Sequence, residues 1–161
     1  MNKIQKITNG GQTGVERGAL DEAINHNIQI SGWCNKNGYT DDCVVKPGII
    51  KKYPQLKEQI GEEEDQYLEF NIMDADAVII LTTKTVNSKR VDLAKEYSFR
   101  YKKTVFLIKE AKDVPNCAKW IESLDRNLII NVTGPTAKEC PNGYKLSREV
   151  LHYLFTCFKY D

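Results

Sequence analysis

The sequence predicts an α/β fold: a mostly parallel sheet with helices on both faces, in three layers. Two observations lead there. Strand-like and helix-like segments alternate from end to end. One of them, Ala77-Val78-Ile79-Ile80-Leu81, is a continuous apolar run of the kind a strand buried on both faces requires. The length of 161 residues limits this to a single domain spanning 1–161.

The elements follow in order. Ile4 to Thr8 reads as a short strand that runs into glycines. Val15 to Asn25 reads as a helix, because Val15, Ala19, Leu20, Ala23 and Ile24 fall on one stripe. Ile28-Gln29-Ile30 is a brief second strand. Residues 31–56 form the longest irregular stretch, punctuated by Gly32, Gly38, Pro47, Gly48 and Pro54. Loops beyond ~12–15 residues inside one domain usually carry function or disorder.

Glu62 to Met73 is the next predicted helix, with its acidic start suited to the positive end of the helix dipole. The apolar strand Ala77 to Leu81 follows. Then come a helix from Arg90 to Tyr101, a strand from Thr104 to Ile108, a helix from Asn116 to Leu124 and a strand from Asn127 to Val132. A last helix runs from about Lys145 to Phe158, with Val150, Leu154 and Phe158 in one row.

Composition narrows the function. Lys+Arg number 23 against Asp+Glu 22, a net charge of +1. Nucleic-acid binding normally leaves a basic excess or stripe, so no nucleic-acid partner is expected. The five cysteines, Cys34, Cys43, Cys117, Cys140 and Cys157, include no C-x-x-C pair, so neither a disulfide scaffold nor a zinc ribbon fits. No segment approaches the ~20 apolar residues of a membrane span, and the N-terminus lacks a secretory apolar stretch. The expectation is a cytoplasmic protein with no membrane partner.

In parallel sheets with helices on both faces, ligands bind beyond the carboxyl ends of the strands. The strongest candidate there is Gly10-Gly11-Gln12-Thr13-Gly14, between a strand and a helix. Glycines allow close backbone approach, and the following helix aims amides and a positive dipole at an anion. Gln12 and Thr13 add side-chain donors, and Arg17 lies one turn into the helix. The loop matches neither G-x-x-x-x-G-K-[ST] nor G-x-G-x-x-G, and the same glycines also suit a tight βα turn that binds nothing.

Trp33 and Lys36 follow the second strand and are candidates for covering a ring and pairing with an oxyanion. Thr82 and Thr83 follow the apolar strand, ahead of Ser88, which could equally be a plain N-cap. Thr133-Gly134-Pro135 is a weaker site of the same kind. Asp74 and Asp76 precede a strand, the wrong end for a site, and are read as turn residues. His26 and His152 lie in or near helices away from strand ends. No catalytic residue and no metal ligand is assigned.

The motif Asn9-Gly10-Gly11-Gln12-Thr13-Gly14-Val15-Glu16-Arg17-Gly18-Ala19-Leu20-Asp21 resembles the first-loop signature of the molybdenum cofactor carrier family. Gly32-Trp33-Cys34, Phe70 to Asp76 and Asn131 to Pro135 resemble its later motifs, in the family's order. The chain differs at Glu16, where the family usually has Asp, at Asn35, where it has Pro, and at Thr82 to Ser88, where it has a glycine-rich turn.

The resemblance implies a Rossmann-like fold, a homo-oligomer (dimer or tetramer), and binding of molybdenum cofactor or a similar phosphate-bearing small molecule. It places ligand contacts at Gly10, Gly11, Gln12, Thr13, Gly14, Arg17 and Trp33. The leading expectation is therefore a carrier of an anionic cofactor. The alternatives are a nucleotide-binding sensor or sequestering protein, and a nucleotide phosphoribohydrolase. The P-G-G-x-G-T-x-x-E motif of the related enzymes is absent from this chain.

Overall fold

The computed structural model describes residues 2–158. In chain order the elements are β1 (Ile4–Thr8), α1 (Val15–Asn25), β2 (Gln29–Ser31), β3 (Trp33–Cys34), β4 (Lys57–Glu58), α2 (Tyr67–Asp74), β5 (Ala77–Leu81), α3 (Lys89–Arg100), β6 (Thr104–Ile108), α4 (Asp113–Ser123), β7 (Leu128–Thr133) and α5 (Gly143–Cys157). The main sheet has five strands in the order β2-β1-β7-β5-β6, all parallel. β3, inside the long irregular stretch, and β4, just after it, form a separate parallel pair. Among the described residues no helix is long and apolar enough to cross a membrane.

Alternation along β5 explains the layers. Ala77, Ile79 and Leu81 point into the larger core, with Ile7, Ile130 and Val132 of β1 and β7. That core is closed by Leu20 and Ala23 of α1, Cys117 and Ile121 of α4, and Leu151, Leu154 and Phe155 of α5. Val78 and Ile80 point the other way, against Ile72 of α2 and Val91 and Ala94 of α3. A strand buried on both faces must be apolar throughout, as this one is.

The helix reading shifts in three places. Residues 62–66 form turns, and α2 begins only at Tyr67, whose amide donates to the Gln59 side chain. Asp65 sits at φ 60, a left-handed conformation that interrupts any helix there. α4 starts earlier than the spacing suggested, because Pro115 fits within a first turn that needs no amide from it. Ile24, placed on the apolar stripe of α1, is 45% exposed.

The connections create the functional end. The helix leaving β7, α5, packs against α1 on one face. The helix leaving β5, α3, packs beside α2 on the other. Adjacent strands β7 and β5 thus send their chains to opposite faces, which defines a switch point and a crevice at their carboxyl ends.

Candidate functional site

The crevice is centred on Glu16 in the first turn of α1. Its side chain is 1% exposed. Oε1 accepts from the amides of Gly10 (3.2 Å) and Gln12 (3.3 Å). Oε2 accepts from Arg90 Nη2 (2.7 Å) and Thr133 Oγ1 (2.7 Å). The groups come from the β1–α1 loop, the end of β7 and the first turn of α3, so this one carboxylate ties three elements together. Arg90 Nη2 also donates to the Tyr67 hydroxyl at 2.7 Å, and Arg90 Nε to the Gly134 carbonyl at 3.4 Å.

Electrostatics keep the group intact. Burial alone would lower the pKa of Arg90, but Tyr67 and Glu16 beside it reverse the sign and raise it. Burial pushes the Tyr67 phenol well above its ordinary range. A buried ion pair with every polar atom engaged is the condition under which such pairs persist.

The amides that the sequence reading turns toward an anion are turned toward the chain itself. Besides Gly10 and Gln12, the Gly11 amide donates to Asn9 Oδ1 and the Thr13 amide to Gln12 Oε1, each at 2.9 Å. The glycines answer to packing. A Cβ on Gly10 would lie 2.2 Å from the Tyr67 ring. Gly11 has φ +70, and a Cβ there would point into Ile49 and Leu56 of the core. Gln12 Oε1 also accepts the Asp41 amide at 2.9 Å, which fastens the long loop to the crevice.

Arg17 is likewise committed. Its Nε donates to the Gly11 carbonyl, and Nη1 and Nη2 grip Asp42 bidentately at 2.9 and 2.8 Å. The hydrogen bond from Arg17 holds the Asp42 carboxyl well below the usual carboxylate range, against an opposing effect of burial. A depressed carboxylate stabilises the fold above its unfolded pKa of about 3.9 and loses that contribution as pH falls through the folded value. Asp42→Asn should therefore be less stable than the parent at pH 7, and the gap in urea midpoint should narrow below about pH 4. Its side chain is 51% exposed, so solvent screening keeps the gap small.

Trp33 and Lys36 lie apart from this group. The Trp33 indole donates to Asp74 at 2.9 Å and its ring packs edge-on against Phe70. Lys36 pairs with Glu62. Asp74 and Asp76 serve the frame: Asp76 Oδ2 accepts the Ile129 amide at 2.8 Å. Ser88 is an N-cap, its Oγ accepting from the Val91 amide.

Thr82 and Thr83 line a cavity of about 470 Å³ beyond the ends of β5 and β6. Its walls include Leu81, Ile108, Val114, Leu146, Val150 and Tyr153, and its polar members include Lys109 and Asn142. The buried Thr82 Oγ1 has no partner among the described residues. Asn142 precedes α5 without a side-chain cap bond, so the N-terminal end of that 15-residue helix reaches the cavity. A Cβ on Gly143 would stand 3.5 Å from Val15 Cγ2, so this wall lies next to the first turn of α1. Two carboxylates, Glu110 and Glu149, also line it, and Glu110 is paired with Lys84 and Lys112.

The Cys34 thiol near the loop is a poor nucleophile. Burial pushes Cys34 up to about 11. The sequence reading missed Arg90 and Tyr67. Arg90 carried a signal in its position, two residues past the cap of a helix that leaves the central strand.

Fold and site together define a Rossmann-like α/β domain whose strand-end crevice is locked by an internal carboxylate–guanidinium pair and flanked by a ligand-sized cavity. Its order matches the common 3-2-1-4-5 sheet if β7, last in the chain, takes the place of the first strand. The chain belongs to the circularly permutated YpsA SLOG family, whose profile matches residues 7–155. It is similar in structure to the "putative molybdenum carrier protein" of Syntrophus aciditrophicus SB: TM-score 0.81, 28% identity, 96% of each chain covered. Comparison with curated proteins finds no match. The resemblance seen in the motifs thus holds for family and fold.

Proposed function

We propose that this protein binds a phosphate-bearing small molecule at the carboxyl ends of β5 and β6, and that it carries the ligand and does not transform it. The observation that carries this is the 470 Å³ cavity beside the switch point, within the 300–1,000 Å³ typical of small-molecule sites. The name of the structural neighbour makes a molybdenum-cofactor pterin phosphate the first candidate.

The residues present fit such a group. Leu146, Val150 and Tyr153 offer an apolar wall to a fused ring. Thr82, Thr83, Lys109 and the amino end of α5 offer donors and positive potential to a phosphate. The bound cofactor would supply its own metal chemistry; the chain would position it and exclude water. In this reading Gly10, Gly11, Gln12, Thr13, Gly14 and Arg17 build the rim and do not contact the anion directly. Trp33 and Lys36 lie outside it.

Anaerobic purification followed by native mass spectrometry and metal analysis identifies any bound molecule. A pterin phosphate supports the proposal; a nucleotide transfers it to the sensor class. Light scattering on the same preparation tests the expected dimer or tetramer. Thr82→Val is the sharper test. It should weaken a pterin monophosphate about 10- to 100-fold in calorimetry, the effect of losing one hydrogen bond to a charged group. It should leave the urea midpoint unchanged or raised, because it removes a buried hydroxyl without a partner. Unchanged affinity removes Thr82 from the site.

A further inference from the structure

The chain has two histidines, and the fold brings them together. His26 closes α1 and His152 lies on α5, the helix packed along it. His26 Nε2 and His152 Nδ1 are 3.0 Å apart. Oε1 of Glu22, one turn before His26 on α1, is 3.2 Å from the first and 3.3 Å from the second. Glu22 is buried, His26 partly buried and His152 exposed. We propose that Glu22, His26 and His152 form a binding site for a divalent transition-metal ion, with zinc the best match.

Three arguments support the assignment. The first is geometric. Zinc bonds of about 2.0–2.1 Å set tetrahedral ligand atoms roughly 3.3–3.4 Å apart, close to the spacing of this triangle. Two histidines and one carboxylate are also a common three-ligand set for zinc, leaving a fourth position open.

The second is proton accounting. Each facing nitrogen carries at most one proton, and the carboxylate oxygen accepts only. Two protons serve two edges of the triangle and leave the third without a bond. A single cation at the centre serves all three atoms.

The third is preorganisation. Arg148 Nε donates to the other oxygen of Glu22 at 2.9 Å, which turns Oε1 toward the histidines. The ring of His26 packs edge-on against the buried Phe155, 5.4 Å between centroids.

The site lies toward the far end of α1 from the crevice, on the α1–α5 seam. A metal there would clamp the two helices that frame the ligand site without touching the ligand.

Calorimetric titration of the full chain with Zn²⁺ should show one site. At a hundredfold excess over Kd the ion should raise Tm by about 5–10 °C. His152→Ala removes a side chain that is 62% exposed and should fold as the parent does. It should weaken Zn²⁺ at least about tenfold, a loss that outer-shell changes alone can cause at metal sites, and abolish the Tm shift. Glu22→Gln should weaken the ion similarly. Co²⁺ in place of Zn²⁺ should give a nitrogen- and oxygen-ligated spectrum with no thiolate charge-transfer band. Absence of binding, equal affinity in His152→Ala, or a thiolate band from the free cysteines would overturn the assignment.

Discussion

Arg90→Met should destabilise the protein by about 3–5 kcal/mol, the range for stripping one partner from a buried ion pair. Glu16 is 1% exposed and cannot turn to water. Its Oε2 would keep only the Thr133 hydroxyl, and the Tyr67 hydroxyl would lose its donor. Methionine keeps most of the aliphatic stem, so the loss reports charge and hydrogen bonding more than volume. For a chain of this size the change corresponds to a fall in Tm of roughly 6–20 °C. Adding Glu16→Gln should recover part of it, because the uncompensated charge is gone. Urea unfolding of the parent, both single variants and the double variant measures the coupling. Additive losses would show that Glu16 and Arg90 do not act as a pair.

The same cluster shows what the sequence could and could not reveal. The fold was legible because its signals are local. Ala77 to Leu81 is apolar on every residue, and only a strand covered on both faces tolerates that. The stripe on α1 and the row on α5 were legible for the same reason. Strand order was not, since placing β7 between β1 and β5 depends on pairings far apart in the chain, Ile4 with Leu128 and Ala77 with Ile130.

At the site, Thr82 and Thr83 were legible as polar residues just past a central strand, and they do line the cavity. Arg17 reads as a candidate to reach a phosphate because its partner, Asp42, lies in a loop with no periodicity to place it. Arg90 was passed over because nothing near it in sequence announces Glu16 as its partner. The histidines read only as residues in or near helices, away from strand ends. Only the packing of α1 on α5 makes them neighbours.

Gly11 turns this difference into a measurement. A phosphate-cradling loop predicts that a bulky residue there abolishes ligand binding and spares the fold. The packing around Gly11 argues for a different outcome. Gly11 has φ +70, where a left-handed backbone costs an L-residue roughly 1–2 kcal/mol. A Cβ would stand 3.0 Å from Ile49 Cγ1 and 3.2 Å from Leu56 Cδ1, both buried side chains of the main core. Overpacking of that kind costs typically 1–3 kcal/mol more. Gly11→Val should therefore lose about 2–5 kcal/mol, and Gly11→Ala less, because alanine brings only the Cβ. Circular dichroism during urea unfolding ranks the three proteins. Binding of a pterin monophosphate, assayed where the variants remain folded, should change little, since the Gly11 side faces the core and not the cavity. A Gly11→Val protein as stable as the parent but unable to bind would restore the loop as the anion cradle and displace the Thr82 assignment.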